Sequence, residues 1–319
     1  MKPPYSITPK ILSLISSISE KIGTINATHL QAPRAELRKS NRIKTIHSSL
    51  GIEGNTLSID QVTAIIGNKR VIAPQKDILE VKNAIKVYDI LQGFKADSML
   101  SFLNAHSLLM NGLVRSSGKF RSKGAGIVKG SKLTHLAPKA SMVKALMNDL
   151  FSYLKKSKDP LLIKSCVFHY ELEFIHPFED GNGRMGRLWQ SVILKDLNPV
   201  FSFLPVESII KQQQSNYYKA LEKSDKAGHS TTFIEFMLDT IDQALAEQLL
   251  ERITPLNAVD RMGIFKDRVG KNEFSRKDYL DYFKNISAPT ASRDLKVAVD
   301  KNIIKRKGDK RTAVYYFSK

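Results

Sequence analysis

Phe174-Ile175-His176-Pro177-Phe178-Glu179-Asp180-Gly181-Asn182-Gly183-Arg184-Met185-Gly186-Arg187 is the most informative stretch of the chain. It reads as a helix, a stop, an anion-binding turn and a new helix. Residues 161–175 form an apolar helix whose continuation is blocked at Pro177, which leaves His176 at its C-terminal end. Gly181, Asn182 and Gly183 permit positive φ and close backbone approach, and the next helix opens with N–H groups that have no partner inside it. Such a turn cradles phosphate. Arg184 and Arg187, at i and i+3, add two cationic forks on one face of the first helical turn. Asp180, just before the turn, is a hard oxygen ligand placed where Mg²⁺ could bridge to phosphate oxygens. An imidazole, a carboxylate, an amide nest and two arginines in one short segment are the parts of a phosphoryl- or nucleotidyl-transfer site.

Outward from this segment, most of the chain reads as helix. Ile11, Leu12, Ile15, Ile18 and Ile22 recur at three- and four-residue spacing over 8–22, as an amphipathic helix requires. Similar patterns run through 34–53, 58–66, 77–93, 99–114, 140–155, 159–175, 182–195, 207–224 and 230–252. The interval 118–138, GKFRSKGAGIVKGSKLTHLAP, breaks the rule: four glycines and short β-compatible pieces at 127–128 and 133–136 predict a hairpin between helices. Near Thr254-Pro255 the composition shifts to a different module. Ser275 can cap a helix through about Asn285, and Ser287 or Thr290 a second through about Asn302. Residues 303–317 then read as strand, basic turn and strand, so this module looks like a winged-helix variant of the helix-turn-helix.

The 319 residues carry 50 Lys and Arg against 31 Asp and Glu, a formal charge of +19, with 42% hydrophobic residues. A chain of this length and composition buries a sizeable core and forms about two domains, which rules out a miniprotein or a disordered tail. Cys166 is the sole cysteine and sits in an apolar helix, so it is expected to pack as a small hydrophobe. With no secretory leader or apolar run of membrane-spanning length in the sequence, the expectation is a cytoplasmic protein without a membrane partner. The positive charge favours an acidic partner, and residues 285–319 concentrate it, with nine Lys and Arg against three Asp. His29, His47, His106, His135, His169 and His229 show no HxxxH or HxH pairing, so structural roles are expected for them.

His176 to Arg187 resembles the Fic motif, HxFx(D/E)GNGRxxR, at every defined position. Residues 47–58, HSSLGIEGNTLS, resemble the N-terminal segment of Fic proteins, with the inhibitory (S/T)xxxE(G/N) pattern as Ser49, Glu53 and Gly54, and 118–138 resembles the family's flap. The likeness covers roughly residues 40–230. It implies a mainly α fold: an N-terminal helical region over 1–95, a Fic-type core over 96–253 with a β-hairpin flap, and a small winged-helix domain over 254–319. The implied reaction is transfer of AMP from ATP to a Tyr, Ser or Thr hydroxyl of a target protein.

Carried over residue by residue, His176 is the expected general base, a role that suits a neutral imidazole. Asp180 would hold Mg²⁺, Gly181, Asn182 and Gly183 would form the anion hole, and Arg184 and Arg187 would hold the β- and γ-phosphates. Phe178 would anchor the loop in the core. Glu53 would pair with Arg187 and displace the γ-phosphate, giving an autoinhibited resting enzyme, although by itself a carboxylate at a helix C-terminus is disfavoured by the helix dipole. Tyr217 and Tyr218 resemble the family's adenine-side pair, against the plainer reading of a core aromatic pair. The flap would pin the target's backbone by strand addition.

In the C-terminal module, Thr290, Ser292, Arg293 and Lys296 on the second helix, with Lys305, Arg306, Lys307, Lys310 and Arg311 on the wing, are the candidate DNA contacts; protein contact or dimerisation is the alternative. Two other readings of the whole stay open. One is a DNA-binding regulator whose Fic core senses nucleotide; the other is a Fic enzyme with a different transferred group or a de-AMPylating activity through Glu53. Self-modification and a homodimer complete the expected partners.

Overall fold

The computed structural model describes residues 3–27, 35–124, 126–129, 132–253, 258–269, 273–283, 286–308 and 313–318. The described chain divides into two compact units, Met1–Leu249 and Leu250–Lys319.

In the first unit, α1 (Pro9–Ala27), α2 (Ala35–Ile52), α3 (Ile59–Ile66), α4 (Gln75–Asp89) and α5 (Met99–Leu109) precede the hairpin of β1 (Gly126–Lys129) and β2 (Lys132–Leu136). There follow α6 (Ala140–Lys156), α7 (Leu161–Ile175), α8 (Asn182–Leu194), α9 (Val206–Gln212), α10 (Gln214–Ala227) and α11 (Thr231–Ile253). Local chemistry sets several boundaries. Ser58 and Gln61 form a reciprocal capping box that starts α3, and Ser98 caps α5. β1 and β2 pair antiparallel, Ile127 opposite His135 and Lys129 opposite Lys132, with an irregularity between Ile127 and Val128.

α7 is apolar on nearly every face, and nearly all of its side chains are buried, which makes it the central helix of the unit. α8 packs along it. Between them and α5 lies an aromatic cluster in which Phe102 meets Phe151, Phe168, Phe178 and Trp189 at centroid distances of 5.1–6.1 Å. Phe178, the third residue of the α7–α8 connection, is fully buried there, as expected, and so roots that connection in the core.

Several expected boundaries differ: the helix predicted over 8–22 runs on to Ala27, and the one predicted over 77–93 ends at Asp89. The helix predicted over 207–224 is broken at Gln213, whose side chain donates to Gln243 Oε1 at 3.0 Å, and the helix predicted over 99–114 ends at Leu109. The second unit contains α12 (Ala258–Val269), β3 (Phe274–Ser275), α13 (Arg276–Tyr282), α14 (Ala288–Asp300), β4 (Ile304–Lys307) and β5 (Val314–Phe317). Its antiparallel sheet has the order β3-β5-β4. The two caps predicted at Ser275 and Ser287 are present, whereas α12 and β3 were not anticipated. Its separate core gathers Met262, Phe265, Phe274, Tyr279, Leu295 and Ile304. Asp294 is buried within this unit and ion-paired with Arg261 through both carboxylate oxygens at 2.6 and 2.7 Å.

Candidate active site

α7 ends at His176 in the left-handed conformation, φ +49°, with its N–H bonded to Leu172 O at 2.9 Å. A non-glycine residue adopts this region only where its surroundings over-determine it. Here Asn182, at the start of α8, reaches back across the loop: Phe178 N–H donates to Asn182 Oδ1 at 2.9 Å and Asn182 Nδ2 donates to Phe178 O at 3.0 Å. His106 on α5 stacks flat on Phe178, ring centroids 3.5 Å apart, and its Nε2 lies 3.0 Å from Asp180 O. Its Nδ1 accepts from Gly118 N–H at 2.8 Å, which assigns the proton to Nε2 and the donor role toward Asp180 O. Burial lowers the His106 pKa to about 4, so this tautomer is the neutral form near pH 7.

Gly181 opens α8 at φ +87°, and a side chain there would collide with Met110 Sδ at 2.7 Å. The helix N-terminus beyond it is occupied by a carboxylate from α2's end. Glu53 Oε1 lies against Gly183 where a Cβ would stand, and accepts from Arg187 Nη2 at 2.7 Å. Arg187 also donates from Nε to Ser49 Oγ at 3.1 Å and from Nη2 to Ser49 O at 3.0 Å. Burial disfavours the Arg187 charge, but Glu53, Tyr217 and Glu173 together outweigh it and the net shift is upward. Arg184 is held in the same manner, by Glu80 Oε1 and Asp180 Oδ1, each at 2.9 Å. Both arginines are therefore buried and paired, where their spacing alone would have allowed them to face water.

α2 is fastened in this position. Ser48 Oγ lies 3.3 Å from Ser208 Oγ on α9, Gln214 Nε2 donates to Ile52 O at 3.0 Å, and the turn after α2 is tied to α4 by Asn55 Nδ2 to Glu80 Oε2 at 2.8 Å. Glu80 thus touches both Arg184 and the turn that carries Glu53.

Asp180 is half-exposed. Burial pushes its pKa up, but Arg184 and the Gly181 N–H outweigh this and hold the carboxyl below the usual range. Arg184 Nη2 and the Gly181 N–H donate to Asp180 Oδ1, at 2.9 and 2.6 Å, and a single hard carboxylate completed by phosphate oxygens is the donor set that suits Mg²⁺. Among the described residues there is no cluster of three or more His, Cys, Asp or Glu side chains. The residues present fit that ion.

Two expectations are corrected by these positions. The Asn182 side chain does not point into the anion hole; it is spent on Phe178, and only its backbone belongs to the helix terminus. Tyr217 is 1% exposed, its hydroxyl 3.1 Å from His169 Nε2 and 3.3 Å from Glu173 Oε1, and its ring packs against Phe233 and Phe236. That ring offers no open face to a base, whereas Tyr218 is 37% exposed. Cys166 is buried, and burial pushes its thiol up to about 12, as befits a packing residue.

Three residues of the site were missed in the sequence. Glu80 falls in register with Val81, Ala84, Val87 and Tyr88 on the buried side of α4, and a carboxylate there was a signal. His106 stood on an apolar face beside Phe102 and Leu109, and was read as structural. Arg121, in the glycine-rich interval, had no periodic signal at all.

In the second unit, Arg293, Lys296, Lys305, Arg306 and Lys307 are exposed, the last three in a row along the edge strand β4. Thr290 Oγ1 lies 2.9 Å from Ser287 Oγ, and Ser292 Oγ donates to Ala288 O at 3.1 Å, so both hydroxyls have local partners. Lys310 and Arg311 lie outside the described residues. No described helix of the chain is long and apolar enough to cross a membrane.

Comparison with known proteins agrees with this geometry. The Fic/DOC family profile matches residues 100–194. Protein adenylyltransferase Fic of Aedes aegypti is 28% identical over 259 residues, covering 76% of this chain and 49% of that protein; the Nematostella vectensis protein of the same name is 29% identical over 261 residues, covering 75% and 58%. The chain thus spans about half the length of the curated relatives it matches. Fic-1 of C. elegans (residues 134–508) shares the fold, with a TM-score of 0.63 at 19% identity over 77% of this chain and 74% of that one. The crystal structure of a Fic family protein from Desulfovibrio desulfuricans G20 superposes with a TM-score of 0.78 at 39% identity, covering 100% of this chain and 98% of that one. With the motif loop, the buried arginines and the hairpin all in place, and a relative of this identity matched along its length, the chain belongs to the Fic family.

Proposed function

We propose that the chain is a protein adenylyltransferase held in an autoinhibited state by Glu53. The observation that carries this reading is the Glu53 carboxylate seated on Gly183 and Arg187, because a carboxylate lodged at a helix N-terminus and paired with a buried arginine marks the place where a phosphate binds. The curated relatives named protein adenylyltransferase support ATP as the nucleotide.

In this reading the hydroxyl oxygen of a target side chain attacks the α-phosphorus of ATP. The bond to the β-phosphate bridging oxygen breaks, and diphosphate leaves. His176, presented by the strained end of α7, takes the hydroxyl proton. The α8 N-terminus and Arg187 hold the phosphates in line once Glu53 has withdrawn, and Arg184 stays oriented by Glu80. Asp180 would hold Mg²⁺, which supplies charge neutralisation on the phosphate oxygens. Tyr218 is the residue proposed to stack on the base.

Intact-mass measurement of the wild type, Glu53→Gly and Glu53→Gly/His176→Ala after incubation with ATP and Mg²⁺ tests this, with the chain and an added cell extract as acceptors. AMP addition in Glu53→Gly alone is the expected result. Equal addition in the wild type would remove the brake, and addition in the double variant would remove His176 from the chemistry.

A second activity is proposed for Leu250–Lys319, on one observation: Arg293 and Lys296 on α14 and Lys305, Arg306 and Lys307 on β4 are all exposed in a unit of helices and a small sheet resembling a winged helix. Duplex DNA is the partner this charge fits. Replacing the three β4 cations by alanine is expected to weaken binding and flatten its salt dependence by about three ions. Unchanged binding, or none at low salt, removes DNA from the reading.

A further inference from the structure

Arg121 is 4% exposed, and its guanidinium makes four hydrogen bonds, all to main-chain carbonyls. Its Nε donates to His176 O at 2.7 Å and its Nη2 to Ile175 O at 3.3 Å. The same guanidinium donates from Nη1 to Lys123 O at 2.7 Å and from Nη2 to Pro138 O at 2.5 Å, and the Arg121 N–H donates to Pro177 O at 2.9 Å. Three of these carbonyls belong to the end of α7 and the start of the loop after it. The other two flank the β1–β2 hairpin, one before it and one after it.

A cation buried on carbonyl dipoles is an expensive arrangement, and it needs a reason. Part of the offset comes from the C-terminal end of α7, whose carbonyls carry the negative pole of that helix. The geometry supplies the reason. His176 sits at φ +49°, and the direction in which its side chain leaves the backbone depends on the peptide plane that Arg121 grips at His176 O. The two feet of the hairpin are gripped by the same planar fork. A lysine, with one ammonium and no fixed plane, cannot make these divergent bonds.

We propose that Arg121 is a positioning residue for the transfer step: by clamping both feet of the hairpin to the His176 carbonyl, it sets the register between a target strand docked on the hairpin and the imidazole that takes its proton. The inference rests on the adenylyltransferase reading for its chemical consequence, and on the hydrogen bonds alone for the mechanical coupling. The Arg121 hydrogen bonds fall on none of Glu53, Arg184 and Arg187, so the effect falls on transfer and leaves nucleotide affinity alone. His106, which joins Gly118 N–H to Asp180 O, fastens the same interval at a second point.

The test uses the full chain with Arg121→Lys and Arg121→Gln, and Lys164→Met as a control that removes another buried cation bonded to a single carbonyl, Leu154 O at 3.1 Å. Amide hydrogen exchange is compared at an equal interval below each variant's melting temperature. Both Arg121 variants are expected to speed exchange by about tenfold in the hairpin and in residues 176–181 together, with Lys164→Met leaving the two segments unchanged. In the Glu53→Gly background, kcat for AMP transfer, with the chain itself as acceptor, is expected to fall about a hundredfold. The Kd of a fluorescent ATP analogue is expected to stay within about threefold in the same variants.

Acceleration in the hairpin with no change at 176–181, equal acceleration in Lys164→Met, or full rescue by Arg121→Lys would each overturn the proposal. If no variant transfers AMP, the adenylyltransferase reading fails, while the paired exchange result still decides whether Arg121 couples the hairpin to His176.

Discussion

Replacing Glu53 by alanine removes the carboxylate that meets Arg187 at 2.7 Å, and the structure fixes both the sign and the size of the response. The Arg187 side chain is 1% exposed and that of Glu53 29% exposed, so the pair is buried on one side and wet on the other. Breaking a fully buried pair costs about 3–5 kcal/mol. Here Ser49 Oγ and Ser49 O remain on the guanidinium, and water reaches the vacated end, which reduces the expected loss to about 1–2 kcal/mol. For a unit of this size each kcal/mol moves the melting temperature by about 2–4 °C, so Glu53→Ala is expected to melt about 2–8 °C below the wild type. Nucleotide reverses the order. ATP with Mg²⁺ at a hundred times its Kd adds about 2.7 kcal/mol to the variant, whereas in the wild type it must first displace Glu53 and adds little. Scanning calorimetry of both proteins, with and without ATP and Mg²⁺, gives the four temperatures required, and Glu53→Ala/Arg187→Ala isolates the pair. If Glu53→Ala melts with the wild type and ATP raises both alike, the carboxylate is a surface group and the brake does not exist.

Other expectations are narrower. Because the His106 pKa is about 4 in the fold against 6.5 in the unfolded chain, the unfolded state binds a proton that the native state refuses between those values. Stability from this group is present above about pH 6.5 and is lost as pH falls toward 4, by up to about 3 kcal/mol. Urea midpoints of the wild type are expected to fall more steeply over that window than those of His106→Gln; equal slopes would refute the assignment. His169, lowered by burial to about 3, adds the same sign, while Glu171 and Glu207, raised by burial to about 7, add the opposite, and all three cancel in the comparison. Asp294→Ala removes the carboxylate that holds Arg261 at 2.6 and 2.7 Å and the Tyr279 hydroxyl at 3.1 Å, and is expected to cost the small second unit about 3–5 kcal/mol. Hydrogen exchange then becomes fast in α12 to β5 and stays slow in α7 and α8. Tyr218→Ala is expected to raise the KM for ATP by roughly tenfold through lost stacking, and Tyr217→Phe to lower stability by about 1 kcal/mol with KM unchanged. Reversed effects in steady-state kinetics would put the base on the other ring.

What could be read in advance was whatever is written in local chemistry. Pro177, Gly181 and the spacing of Arg184 and Arg187 place a stop, a turn and a helix start whatever surrounds them, and α7, α8 and the hairpin follow. Ser275 and Ser287 announced their helices for the same reason. The break at Gln213 could not be seen, since Ile209, Ile210, Tyr217 and Ala220 keep helical spacing across it and neither glycine nor proline marks it. The partners of the arginines were equally hidden. Arg184 finds Glu80 and Asp180, and Arg187 finds Ser49 and Glu53, and most of these lie a hundred or more residues away. The family likeness supplied the Glu53 pairing; neither it nor periodicity pointed to Glu80, His106 or Arg121. The inward turn of Asn182 and the enclosure of Tyr217 depended on what packs around them, which no short segment encodes.

The two occupied arginines have a kinetic consequence. A polyphosphate entering this loop replaces one anion with another, so its arrival changes the local charge far less than it would at an open pair of guanidinium groups. Long-range Coulomb steering, the usual accelerator of anion capture, then contributes little, and the slow event becomes the first-order departure of Glu53. Observed association should level off as nucleotide concentration rises, at a ceiling set by the opening rate, and that ceiling should hardly move with ionic strength. A site gated in this way by its own side chain, as proposed, would leave the +19 of the chain to act on other surfaces and on other partners.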